Sequence, residues 1–152
     1  MELPLFEQVN DLVLALTPDG LGEVRSRAHR RGLKVWFDRE RAPREHYEAQ
    51  LLPRRHVDGV DGTALEIGFH AEHGDVADNN APLDLLTADE KKWRKDLGDA
   101  AEMGVFFGAD SWRRVSEAWI EPDTEAESFA FEIASRLVDY ITALQPLLGD
   151  RG

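Results

Sequence analysis

RRHVDGVDGTALEIGFH, residues 54–70, is the stretch on which the reading of the fold turns. Asp58-Gly59 and Asp61-Gly62 are turn signals, because glycine supplies the positive φ that tight hairpin connections need. After them Leu65, Ile67 and Phe69 alternate with Glu66, Gly68 and His70, the period of a strand with one buried face. The stretch predicts a hairpin, and hairpin-like neighbours along a chain point to an antiparallel sheet rather than to strict βα alternation.

Toward the N-terminus, Leu5, Phe6, Val9, Leu12, Val13 and Leu16 fall on one helical face. Thr17-Pro18-Asp19-Gly20 breaks that helix. A second helix is expected from about Leu21, with Leu21, Val24 and Ala28 apolar, Arg25, Arg27, Arg30 and Arg31 around the rest, and Gly32 as its cap. Leu33, Val35 and Phe37 read as a strand, and Pro43 as the start of a third helix through Tyr47 and Leu51 that Pro53 ends.

Toward the C-terminus, residues 74–82 read as a polar loop holding Asn79-Asn80. Thr87-x-x-Glu90 is a capping box for a helix presenting Trp93, Leu97 and Ala100 and closed by Gly104. Val105-Phe106-Phe107, apolar on both faces, is expected to be a central strand, followed by a strand over residues 112–120. Thr124-x-x-Glu127 opens a last helix whose Phe129, Ile133, Leu137, Tyr140, Ile141, Leu144 and Leu148 form one stripe. The expected order is α-α-β-α-β-β-α-β-β-α: an α+β fold with a mostly antiparallel sheet of about five strands and helices packed on it.

Composition bounds the rest. A chain of 152 residues fits one globular domain, residues 1–152, and can bury roughly 70% of its unfolded surface. Hydrophobic content of 42% suits a packed core. With no cysteine, disulfides, thiolate nucleophiles and Cys-based metal sites are excluded. Glu2, Glu7 and Asp11 stand where a signal peptide would carry basic residues, and the longest apolar run, residues 12–16, is far short of the roughly 20 residues that span a bilayer. A cytoplasmic protein without membrane contact is expected.

All five histidines lie between residues 29 and 73, in a region that also holds Glu48, Asp58, Asp61, Glu66 and Glu72. Groups of this kind build zinc, manganese and iron sites, so His46, His56, Glu66, His70 and His73, with Asp58 in support, are the candidates for a divalent transition metal or for acid–base work. On a straight strand Glu66 and His70 share a face roughly 13 Å apart, too far to ligate one ion, and His70 and His73 point in opposite directions. Two hairpin registers are open. One pairs Arg55 with Glu66 as a cross-strand salt bridge; the preferred one buries Val57 against Leu65 and sets His56 beside Glu66.

The order of Glu48, Asp58 and Glu66-Ile67-Gly68 is similar to that of the acidic ligands in restriction-endonuclease-like folds, but Gly68 stands where that pattern has its lysine. Gly-x-Gly-x-x-Gly, Walker-type Gly-Lys-Ser/Thr, Gly-x-Ser-x-Gly and His-Glu-x-x-His motifs are all absent. Trp112 and Trp119, seven apart, are expected on opposite faces of their strand.

Residues 25–55 carry ten of the eighteen Lys and Arg residues against four acids, inside a protein of formal charge −12. Arg25, Arg27, Arg30, Arg31, Arg44, Arg54 and Arg55 are therefore the candidate surface for an anion or an acidic partner. Against an anion or RNA surface, the preferred reading of the cluster itself is a solvated face or an internal use, with a basic helix lying against the acidic residues 121–127. The leading expectation is a non-enzymatic interaction or regulatory module that binds a protein partner or a second copy of itself through this segment. The alternative is a metal-dependent hydrolase with a His/Glu site on residues 54–73. RNA or DNA binding comes third, because the net charge opposes it.

Overall fold

The computed structural model describes residues 3–149. Its elements are α1 (Leu5–Leu16), β1 (Val24–His29), β2 (Gly32–Phe37), β3 (Glu45–Pro53), α2 (Arg55–Asp58), β4 (Thr63–Ala71), α3 (Val76–Ala88), α4 (Glu90–Leu97), β5 (Glu102–Phe106), β6 (Ala109–Ile120) and α5 (Phe129–Leu148). The fold is α+β: one six-stranded sheet in the order β1-β2-β3-β4-β6-β5, every neighbouring pair antiparallel, with five helices.

Period-two patterning decides the first half of the sheet. Val24-Arg25-Ser26-Arg27-Ala28-His29 alternates apolar or small residues with basic ones, and His46-Tyr47-Glu48-Ala49-Gln50-Leu51 alternates polar with apolar. Both segments also place apolar residues at helical spacings, which is how each reads as a helix. They are strands β1 and β3. Arg30-Arg31 form the turn between His29 and Gly32, which are register partners, and β2 pairs with a strand on either side. A central β2 gives Leu33 and Val35 full burial, which a helix-flanked edge strand would not.

Residues 54–70 are not a hairpin. Arg55 to Asp58 close one helical turn, Gly59 N–H donating to Arg55 O with Gly59 at φ 79°, and only then does β4 begin. Both registers proposed for the hairpin fall away, since Glu66 pairs with Gln50 of β3 and Ala118 of β6. Further on, residues 76–82 belong to α3 rather than to a loop. Thr87 lies inside α3 and donates its hydroxyl to Leu83 O, so it caps nothing. Gly98 at φ 76° ends α4 before Ala100, and Gly104 lies within β5. That strand is the sheet's edge, not its centre. The last helix starts at Phe129, five residues after Thr124, with Ser128 Oγ bonded to Glu132.

One face of the sheet carries the core. Leu33, Val35, Tyr47, Ala49, Leu65, Ile67, Phe69 and Val115 pack under α1 and α5, which contribute Phe6, Val9 and Val13 and the full stripe from Phe129 to Leu148. Each large apolar side chain buried there stabilises the fold by about 1.5–3 kcal/mol. Glu117 also points to this side, and its carboxylate is fully used: it accepts from Tyr140 OH, Arg136 Nε and Trp119 Nε1, each at 2.8 Å. Glu117→Gln removes the charge that balances Arg136, and we expect a loss of about 1–3 kcal/mol in urea unfolding. Trp119 sits on the core side and Trp112 packs on Phe106 on the other, as their spacing requires.

The second face has no long helix over it and is polar at its centre. Register aligns its side chains in rows: Arg25, Trp36 and beyond them His46, His70 and Arg114; Arg27, Lys34, Glu48, Gly68 and Ser116; Gln50, Glu66 and Ala118. Residues 38–44 fold over one part, Trp36 Nε1 donating to Arg39 O at 2.7 Å and His46 Nδ1 donating to Pro43 O at 2.9 Å. On the other side, Phe106 lies edge-on to His70 at 4.7 Å and Arg114 stacks over Phe107 at 3.8 Å. Gly68 lies between these covers, so close to β6 that a Cβ there would stand 2.3 Å from Val115 O and 2.5 Å from Ser116 Cα. Among the described residues, no helix is long and apolar enough to cross a membrane.

Candidate metal centre

Alternation along a strand sends residues i and i+2 to the same face. The chain has this spacing twice: His46-Tyr47-Glu48 on β3 and His70-Ala71-Glu72 running off the end of β4. The two strands are antiparallel neighbours, and His46 is the register partner of His70. Two His-x-Glu pairs are thereby brought together on the second face, beneath the covering segments.

Four side-chain atoms form a closed ring in which nitrogen and oxygen alternate. His46 Nε2 lies 2.9 Å from Glu48 Oε1, which lies 3.4 Å from His70 Nδ1; His70 Nδ1 lies 3.1 Å from Glu72 Oε2, which returns to His46 Nε2 at 3.5 Å. All four atoms are within 4.8 Å of one another. With metal–ligand bonds of about 2.0–2.1 Å, the edges of a coordination tetrahedron are about 3.3–3.4 Å, and the four sides of the ring are of that size, so a small contraction across the ring would bring all four atoms onto one ion.

The outer nitrogen of each imidazole is already committed. The Pro43 carbonyl can only accept, so His46 Nδ1 carries a proton and Nε2 turns its lone pair inward. In the same way His70 Nε2–H donates to Glu66 Oε2 at 2.6 Å, which leaves Nδ1 as the inward atom. A carboxylate or carbonyl behind each histidine is what orients metal-ligating imidazoles and raises their basicity. Glu66 is itself held by Gln50 Nε2 at 3.0 Å.

Burial sharpens the chemistry. The side chains of His70 and Glu66 are wholly enclosed, His46 and Glu48 nearly so, and Glu72 is 14% exposed. Arg114, held by Ser116 O and Oγ at 3.1 and 2.9 Å, is a buried cation on the same face whose charge offsets that of Glu66. A divalent ion would balance Glu48 and Glu72, leaving the buried cluster close to neutral.

Without an ion, protons must do this work. Burial alone would lower His70, but the Glu66 charge and hydrogen bonds to Glu48, Glu66 and Glu72 outweigh it and hold His70 well above its ordinary value of 6.5. Burial likewise opposes His46, whose hydrogen bonds to Glu48 and Glu72 carry it upward. Burial pushes Glu48 up, yet the bonds from His46 and His70 bring it down to about 2, and Glu72 is lowered by the same pair.

The signs fix a pH window. The histidine contribution to stability is complete below about 6.5 and is lost as pH rises through the raised folded values; the Glu48 contribution is present above its ordinary 4.5 and is lost as pH falls toward about 2. Chelator-treated protein should therefore melt highest between about pH 4.5 and 6.5, with the melting temperature falling on either side of that window. A flat profile across pH 4–8 would contradict it.

Of the residues that the sequence offered, the structure brings His46 and His70 into the ring and places Glu66 behind His70. The estimate of roughly 13 Å between Glu66 and His70 holds for the backbone of a straight strand, but the two long side chains lean together over side-chain-free Gly68. His56 and Asp58 lie on α2, both exposed, Asp58 paired with Arg54 at 3.0 Å; neither reaches the ring. His73 binds Glu45 at 2.8 Å outside it. Glu48 and Glu72 complete the ring, and the repeated His-x-Glu spacing was the signal that could have found them once both segments were read as strands.

The nuclease-like order fails on the same geometry. Asp58 is remote from the buried pair Glu48 and Glu66, and a lysine at position 68 would drive its Cβ into the Val115 carbonyl. The basic residues do not share a helix either. Arg25 and Arg27 are on β1, Arg30 and Arg31 at its turn, Arg44 just before β3, and Arg54 and Arg55 at α2. The basic helix expected to lie against residues 121–127 is absent, and from the basic segment Arg54 approaches Glu121 at 3.9 Å. No family model matches this chain, and no curated protein or solved structure matches it either, so the reading of the site rests on its own geometry.

Proposed function

We propose that this protein binds one divalent transition-metal ion through His46 Nε2, Glu48, His70 Nδ1 and Glu72. The observation that carries the reading is the closed ring of alternating donors at 2.9–3.5 Å, with both outer imidazole nitrogens already engaged. Two imidazoles and two carboxylates suit zinc, manganese or iron(II), and the lack of thiolates disfavours copper(I).

Four protein donors under a nearly complete cover support a structural or regulatory ion more than a hydrolytic one, because catalytic sites keep a coordination position for water or substrate. The reading thus joins the metal of the hydrolase alternative to the non-enzymatic role expected from the sequence. Hydrolysis keeps one specific support: Glu72 is the most exposed of the four and is the ligand whose withdrawal would admit a water.

Elemental analysis of protein purified without a histidine tag is the direct test, and about one equivalent of zinc, manganese or iron is the expected result. Protein that stays metal-free after incubation with each ion under reducing conditions would overturn the proposal. Water relaxation of the manganese-loaded protein separates the two roles. Low relaxivity indicates a shell closed to solvent, and high relaxivity an inner-sphere water and hence the hydrolytic role.

A further inference from the structure

Beside the metal ring, on the same face of the sheet, runs a groove of about 580 Å³ between β1, β2 and the segment 38–44. Arg25, Arg27 and Arg41 line it together with Trp36, Ala42 and one carboxylate, Glu40. Arg25 Nη2 is paired with Glu23 at 3.1 Å. Its Nε is buried and, among the described residues, is the side-chain polar atom of that kind left without a hydrogen-bond acceptor.

We infer that the groove is a binding site for a small organic phosphate of nucleotide size, with the guanidinium groups of Arg25, Arg27 and Arg41 on the phosphate and the organic part against Trp36 and Ala42. The guanidinium fork matches phosphate oxygens in bidentate fashion, and the groove sets three such forks around one opening. The volume falls within the range of about 300–1,000 Å³ typical of small-ligand sites and leaves room beyond a bare phosphate. The charge distribution favours a small anion over a nucleic acid: a body of −12 repels a long polyanion, whereas a small ligand within a Debye length feels the local cluster.

The groove is built partly from the segment that serves the metal ring. Residues 40–42 form its wall, and Pro43, the next residue, accepts the His46 Nδ1 proton. The site does not depend on the metal reading, because none of its lining residues is one of the four donors.

Isothermal titration with AMP and with pyrophosphate, on metal-loaded and on chelator-treated protein at low salt, tests it. Saturable binding of AMP is expected, weakened at least tenfold by Arg41→Gln, an exposed position, and again by Arg25→Gln, with metal content and melting temperature of Arg41→Gln unchanged. Absence of saturable binding at millimolar ligand overturns the inference, as does undiminished affinity in Arg41→Gln. Binding that His70→Ala abolishes while Arg41→Gln retains it would place the anion on the metal and also overturn it. An oligonucleotide that binds far more tightly than AMP, with a steep salt dependence, would identify a nucleic-acid surface instead. AMP binding by the chelator-treated protein is expected, since the groove holds none of the four donors, whereas protein that takes up no metal on incubation and still binds AMP would overturn the metal proposal alone.

Discussion

His70→Ala is expected to abolish stoichiometric metal and to lower the melting temperature of metal-supplied protein by about 10 °C or more. Two losses combine. An ion present at about a thousand times its dissociation constant stabilises the folded state by about 4 kcal/mol, and that linkage disappears with a ligand. In addition, Glu66 and Glu48 lose the imidazole that both contact, at 2.6 and 3.4 Å, and a buried carboxylate deprived of its partner costs about 3–5 kcal/mol. At about 2–4 °C per kcal/mol for a domain of this length, either loss alone would be visible.

Glu66→Gln separates the two. A glutamine keeps the volume and can still accept from His70 through its carbonyl oxygen, but it lacks the charge that orients and polarises the ring, so metal affinity should fall about 10–100-fold. The fold is retained. A competition assay with a chelating dye measures this directly. Equal affinity in wild type and Glu66→Gln would show that Glu66 is a packing partner of His70 and nothing more.

Gly68→Ala is the second change of large effect, expected to destabilise the protein by about 4 kcal/mol or more, at the upper end of what single substitutions do. The new Cβ would meet Val115 O at 2.3 Å and Ser116 Cα at 2.5 Å, which are backbone atoms of a neighbouring strand and not the ends of flexible side chains. Relief requires β4 and β6 to separate in the middle of the sheet, where each is hydrogen-bonded to the other and to a further strand. Gly74→Ala is the control: nothing lies within 4 Å of its would-be Cβ, and its unfolding midpoint should stay within about 0.5 kcal/mol of wild type. Similar denaturation curves for the two variants would show that the sheet yields more easily than this spacing allows.

The α+β class and the antiparallel character of the sheet were legible in the sequence, as was the stripe on α5. Those signals are long, with one strong period each. The short elements were not. Residues 24–29 and 45–53 each satisfy a helical and a strand pattern over less than ten residues, and what selects the strand is pairing, of β1 with β2 and of β3 with β2 and β4, a tertiary fact. Pro43 reinforced the helix reading of the second segment, although it lies outside β3 and serves through its carbonyl.

The site inherited that error. With His46 and Glu48 placed on a helix, their spacing of two puts them on different sides; on a strand it puts them on one. Of the residues that the sequence offers, His46 and His70 lie in the ring and Glu66 behind it, whereas His56 and His73 lie outside it and Glu48 and Glu72 take the remaining places. Only the pairing of His46 with His70 across β3 and β4 makes the two short motifs a single object.

That pairing has a meaning for the chain as a polymer. His46 and His70 are 24 residues apart, and an ion bonded to both ties β3 to β4 as a cross-link would, closing the intervening α2 segment into a loop. In the chain-entropy picture a closure of that length withdraws about 3–4 kcal/mol of freedom from the unfolded ensemble if the ion stays bound there. A protein with no cysteine would thus possess a strand-to-strand tie that needs no oxidation to form and is released by acid or a chelator.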